Sequence, residues 1–197
     1  MSDGAALHKS TFTQEHARMA ALSPSEVRHH IRNGGWHHTT AGLANGYAQA
    51  NLIIMPHQYA NDFLRFCMAN RACCPLLDVT SPGDWAPSTL GEDIDLRTDV
   101  PRYLIHTDGE VSEETDTISG FWSEELVCFS IGCSFSFEEA LARDGVPLRH
   151  VEQQSVVPMY RTTIPLVSVG PFQGTAVVSL RPMLNRPGFR RHLQALY

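Results

Sequence analysis

Apolar positions recur along this chain in short, well-bounded blocks. Tyr59, Phe63, Phe66 and Cys67 follow one another at spacings of four, three and one, which places them on one face of a helix running from Pro56 to about Asn70. Upstream, Ser23-Pro24-Ser25-Glu26 opens another helix, in which Ser23 caps, Pro24 suits the first turn and Glu26 completes a capping box. Asn33-Gly34-Gly35 ends it, because glycine readily takes a left-handed cap. Ala50–Met55 and Leu76–Thr80 read as strands, and Leu126–Ile131, a dense apolar run, as a buried one. Asp108-Gly109 between Tyr103–Thr107 and Glu110–Glu114 predicts a hairpin. A helix from Phe135 to Arg143, with Ser134 or Ser136 near its cap, is followed by strand-like pieces at Arg149–Glu152, Thr163–Val169 and Thr175–Arg181.

Helices and strands intermix without regular alternation. The expected class is therefore α+β, a mixed sheet or sheets with flanking helices and room for two small subdomains. Residues 1–22 read as a leader, helical or poorly ordered; 23–182 form the main domain, and 183–197 a basic, turn-rich tail.

Composition narrows the function classes. At 197 residues the chain can bury a real core, and its formal net charge of -6 argues against a nucleic-acid surface. No apolar run is long enough for a membrane helix, and the first twenty residues are too polar for a signal peptide. Five cysteines in no secretory context point to reduced thiols and a cytoplasmic setting. His29-His30 and His37-His38 are adjacent pairs, a spacing that rarely chelates one ion, so no metal site is assigned.

Chemistry concentrates between Gly132 and Thr162. Gly132-Cys133-Ser134 after a strand and before a helix places a thiol and a hydroxyl where unpaired N–H groups favour anions. It reads either as a carboxylate cradle or nucleophilic Cys133, or as a buried cysteine beside a capping serine. Arg149-His150 offers a carboxylate clamp and a proton-transfer group, or else a surface ion pair and a hydrogen-bonded histidine. Tyr160-Arg161 adds to the same polar group. Arg97 precedes a strand and either binds a carboxylate or pairs with Asp99.

The strings TAGLANGYAQANLIIMP, CPLLDVTSPGD, LGEDIDLRTDVPRY, GCSFSFEEAL, RHVEQQSVVPMYRT and FQGTAVVSLRP resemble the hydro-lyase family whose best-defined member class is D-glutamate cyclase. The resemblance runs from about Ser23 to Pro182. It implies a cytosolic or mitochondrial-matrix lyase that closes D-glutamate to 5-oxo-D-proline with loss of water. A small amino-acid or carboxylate substrate follows, with no cofactor, although a divalent cation or a homo-oligomer would be compatible. The expected catalytic residues are His150, Cys133, Ser134 and Ser136. Substrate binding is expected from Arg97, Arg149, Tyr160 and Arg161. In this scheme His150 transfers protons, Arg149 and Arg161 bind carboxylates, and Ser134, Ser136 and the Cys133 backbone stabilise the oxyanion, while Tyr160 and Arg97 complete the wall.

The chain departs from the family pattern in three places. His38-Thr39 stands where a Gly-Pro pair is usual, and Val156 where asparagine is usual. Beyond Pro182 the resemblance is lost, and family segments resembling HGAPVHIG and FWACGVTPQ are absent. The alternative expectation is therefore a truncated, inactive remnant, or a protein that binds a small carboxylate without turnover.

Overall fold

A computed structural model describes residues 14–181, apart from 88, 154 and 156. Val156 and the tail from 182 onward thus lie outside the described residues. The architecture is α+β. Residues 14–20 form α1, and α2 spans Pro24–Arg32. The expected capping box is present: the Glu26 N–H donates to Ser23 Oγ, and the Ser23 N–H to the Glu26 carboxylate at 2.8 Å. Asn33 caps the other end, and Gly34 follows at φ +71. Met19, Val27, Ile31, Trp36 and Leu43 form a first buried cluster, so the described part of the expected leader is a packed helix.

The principal sheet has three antiparallel strands in the order β1–β5–β2, with β1 at Ala50–Pro56, β2 at Leu76–Val79 and β5 at Leu126–Gly132. Val127 through Ile131 are all buried, as a strand paired on both sides and covered on both faces requires. Thr80 continues the β2 edge: its hydroxyl accepts from the Cys128 N–H and its own N–H donates to the Cys128 carbonyl, both at 3.0 Å. A 3-10 turn at His57–Tyr59 leads into α3, Ala60–Ala69. The predicted apolar face delivers Phe63, Phe66 and Cys67 against Val127, Phe129 and Ile131. Phe63 packs edge-on to Phe129 at 4.8 Å and to Phe172 at 5.0 Å. Burying each such ring is worth about 1.5–3 kcal/mol.

Two antiparallel ribbons complete the fold, so the pairing in all three sheets of the described residues is antiparallel rather than mixed. β3 (Tyr103–Thr107) and β4 (Glu110–Thr115) turn at Asp108-Gly109, as predicted. β6 (Met159–Pro165) pairs with β7 (Thr175–Ser179). The expected strand at Thr163–Val169 therefore starts four residues earlier, where β7 supplies partners. The segment beyond β6 docks on α3: the Asn70 side chain donates to the Phe66 and Val167 carbonyls and accepts from the Val167 N–H.

The expected strand at Arg149–Glu152 is a helical turn, α5, with the Gln153 N–H bonded to the Arg149 carbonyl. The strand-like reading of four residues did not outweigh local packing, in which Val146 and Leu148 bury against Leu141 of α4 (Glu138–Arg143).

Charged pairs tie the 93–99 segment down. Arg32 grips Asp99 through two hydrogen bonds of 2.8 and 2.9 Å. Arg97 grips Asp95 in the same way at 2.9 and 2.8 Å, with its guanidinium 3.8 Å from the Trp85 ring centre. Burial alone would raise the Asp95 carboxyl, but hydrogen bonds from the Arg97 side chain and backbone, helped by the charges of Arg97 and Arg32, hold it below the usual range.

Asn70→Ala should destabilise the protein by roughly 2 kcal/mol, because both polar groups of Val167 lose their partner; urea denaturation at constant m-value measures this. A depressed carboxyl contributes stability above its unfolded pKa and loses it as pH falls. The stability gap between the natural protein and Asp95→Asn should accordingly be full near neutrality and shrink below about pH 4, as read from denaturation curves across that range.

Candidate active site

β5 ends at Gly132 and hands the chain to a 3-10 turn, Ser134–Phe137, which runs directly into α4. The serines do not cap this helix, contrary to the sequence reading. The Ser136 hydroxyl instead accepts from the Gln49 N–H at 2.8 Å, and the Cys133 N–H donates to the Gln49 carbonyl at 2.8 Å. Gln49 itself is anchored to the 40–43 loop by side-chain bonds with Thr40 and Leu43. Two expected oxyanion donors, the Cys133 backbone and Ser136, are thus used in locking the turn to the start of β1.

Ser134 points elsewhere, into a buried polar group. Its hydroxyl accepts from Arg181 Nη2 at 2.9 Å and lies 3.4 Å from Ser179 Oγ. Arg181 Nη1 donates to Ser179 Oγ at 2.8 Å, and Nε donates to Glu138 Oε1 at 2.8 Å, with Nη2 against the same oxygen. The Arg181 side chain is only 5% exposed, and its guanidinium rests on the Phe137 ring. β7 brings Ser179 and Arg181, α4 brings Glu138, and α5 brings His150.

His150 is 6% exposed. Its Nε2 lies 3.1 Å from Glu138 Oε1, an ion-pair distance. That contact is not a hydrogen bond, since a hydrogen bond weakens steeply when bent, and among the described residues neither buried ring nitrogen has a hydrogen-bond partner. A buried imidazole with two unsatisfied nitrogens, beside a carboxylate that a guanidinium holds in turn, carries an unmet hydrogen-bonding demand.

Of the predicted residues, the structure gathers Ser134 and His150 into this group, with Cys133 at its edge and partly exposed. Arg149 precedes His150 on α5. Tyr160 and Arg161 lie on exposed β6, opposite Val178 and Val177. Arg97 pairs with Asp95 rather than Asp99, which belongs to Arg32 and Arg28. Glu138 and Arg181, the charged centre, were not singled out from the sequence. The available signal was an arginine at the end of the predicted strand Thr175–Arg181 and a glutamate in the first turn of the predicted helix from Phe135.

Burial pushes the thiols of Cys67 and Cys128 up, to about 11 and about 12, which keeps them protonated. Among the described residues no three histidine, cysteine or acidic side chains converge to hold a metal, and no helix is long and apolar enough to cross a membrane. An open cleft of about 300 Å³, lined by Ile31, Trp36, His37, Thr98 and Pro101 among others, shares no residue with the buried group. The buried group draws on the segment richest in candidate chemistry and holds the unsatisfied imidazole, so it is the stronger candidate.

The family model for D-glutamate cyclase matches residues 127–192, a span that includes Ser134, Glu138, His150 and Arg181. A protein named "Putative hydro-lyase" from Burkholderia multivorans is 50% identical over 172 residues, covering 87% of this chain and 66% of the relative. Similar proteins of the same name occur in Geobacillus kaustophilus, 48% identical over 85% of this chain and 64% of the relative, and in Paraburkholderia phytofirmans, 52% identical over 83% and 63%. The chain spans just under two thirds of the length of these relatives. With the matched segment carrying the whole buried polar group, the chain belongs to the D-glutamate cyclase family of hydro-lyases.

Proposed function

We propose that this chain forms the active site of a hydro-lyase acting on a small dicarboxylic amino acid, D-glutamate foremost, which it closes to 5-oxo-D-proline. The observation that carries the reading is His150, buried beside the Glu138 carboxylate that Arg181 holds, with neither ring nitrogen hydrogen-bonded among the described residues.

The chemistry sets three tasks. The substrate ammonium loses a proton so that its nitrogen can attack the side-chain carboxyl carbon and form the C–N bond. One oxygen of that carboxyl then leaves as water, having taken up two protons, and the nitrogen gives up a second. Two protons therefore travel from nitrogen to oxygen, with no change in oxidation state. His150 suits this traffic because each of its nitrogens can accept or donate. Ser134 accepts from Arg181, which leaves its hydroxyl hydrogen available to donate to the oxygen on which charge develops. Arg149, beside His150 in sequence, and Arg161 on the strand next to β7 are proposed to hold the carboxylates. Tyr160 and Arg97 are proposed as wall residues, and Cys133 as a neighbour of the reacting carboxyl.

Incubation with D-glutamate and, separately, L-glutamate, followed by chiral detection of 5-oxoproline, tests the proposal. Product from the D isomer alone is the expected result. His150→Ala should lower kcat by about 10²–10⁴-fold with the fold retained. Thermal stabilisation by D-glutamate without product would instead mark a carboxylate-binding protein, and full activity in His150→Ala would remove the assignment.

A further inference from the structure

An arginine in a site for a dicarboxylate invites the reading that it binds the substrate. Arg181 is placed otherwise. A guanidinium receives a carboxylate along one of its two edges, each presenting a pair of parallel N–H groups. On Arg181 the edge formed by Nε and Nη2 is taken by Glu138 Oε1. The edge formed by Nη1 and Nη2 spans the hydroxyls of Ser179 and Ser134. One face rests on Phe137, with the guanidinium carbon 4.6 Å from the ring centre, and the side chain is 95% buried. No edge is left for a ligand.

Resting on the hydro-lyase reading, we propose that Arg181 is a positioning residue. It holds the Glu138 carboxylate and the Ser134 hydroxyl in place around His150, and does not bind the substrate's carboxylate. Glu138 Oε1 has three nitrogens around it, two from Arg181 at hydrogen-bonding range and His150 Nε2 at 3.1 Å outside hydrogen-bond geometry. Arg181 saturates that oxygen, so Glu138 does not capture the imidazole in a fixed hydrogen bond. Nε2 consequently stays open to the substrate, as Nδ1 is among the described residues, while a negative charge sits close by to stabilise the imidazolium when it forms. Arg181 also ties the end of β7 to the contiguous turn and α4 that follow β5, more than forty positions away, so the same contact assembles the site.

Two predictions separate positioning from substrate binding. In turnover of D-glutamate, Arg181→Lys should keep KM within about threefold while kcat falls at least tenfold, since lysine retains the charge but not the fork. In a double-mutant cycle, Arg181→Met combined with Glu138→Gln should be no slower than the worse single variant, within about threefold. A tenfold or greater rise in KM for Arg181→Lys with kcat unchanged, or losses that multiply in the cycle, would overturn the proposal.

A third measurement does not depend on the substrate. In protein labelled with ¹⁵N-histidine at fixed pH, the His150 ring-nitrogen resonances should move in both Arg181→Met and Glu138→Gln, and return toward their natural positions in Arg181→Lys. Movement in Glu138→Gln alone would show that Arg181 does not act through Glu138. Should the natural protein fail to convert D-glutamate, the functional reading falls, and the ring resonances still decide the role of Arg181. Circular dichroism of each variant confirms that the fold is retained.

Discussion

Burial of β5 on both faces is the constraint from which the rest of the structure follows. Five consecutive residues, Val127 to Ile131, are removed from solvent. Their backbone groups must be satisfied within the protein, because an unpaired buried N–H or carbonyl is costly. β1 and β2 supply those partners on either side, and Thr80 contributes its hydroxyl where the ladder would otherwise stop. The side chains of Val127, Phe129 and Ile131 call for an apolar cover, which the aromatic face of α3 provides. With the strand so held, the turn that begins at Cys133 emerges at a defined place and direction. Catalytic geometry needs that kind of support, since small misplacement of a reacting group costs rate heavily.

The second constraint is electrostatic. Enclosing a guanidinium and a carboxylate costs several kcal/mol per ion in desolvation, which their attraction offsets only with good geometry and further hydrogen bonds. The cluster has both: Glu138 is matched to Arg181, and the remaining guanidinium N–H groups reach Ser134 and Ser179. His150 is the exception, enclosed with its own hydrogen-bonding capacity unmet. Such an unsatisfied group in an otherwise satisfied cluster contributes little to stability. The docking of the β6–β7 ribbon on α3 through Asn70 and Phe172, together with Arg181 at the end of β7, makes the ribbon part of the site's frame.

Local signals were legible in the chain wherever a few neighbouring residues decide the outcome. The capping box at Ser23 and Glu26, the left-handed cap at Gly34, the Asp108-Gly109 turn and the apolar stripe of α3 all depend on contacts within about seven positions. The family resemblance likewise rested on contiguous strings, and two of the residues it pointed to, Ser134 and His150, both contact the Glu138–Arg181 pair. The readings that failed depended on distant partners. Arg149–Glu152 reads as strand-like but is a helical turn beside the Leu148–Leu141 packing, and β6 begins at Met159 because β7 lies beside it. Asp99 looked like a partner for Arg97 by proximity, yet Arg32, sixty-seven positions away, takes it.

The order of residues alone was therefore enough for the class of fold and the family. The strings and periodicities that carry those conclusions are local and survive without coordinates. Only the tertiary structure decided which charges belong together. Glu138 and Arg181 are forty-three positions apart, and Ser134 and Arg181 forty-seven. A side chain's role as clamp, support or proton carrier is set by which of its polar groups remain unsatisfied once the chain has folded, and that is settled by contacts between segments rather than by spacing along one.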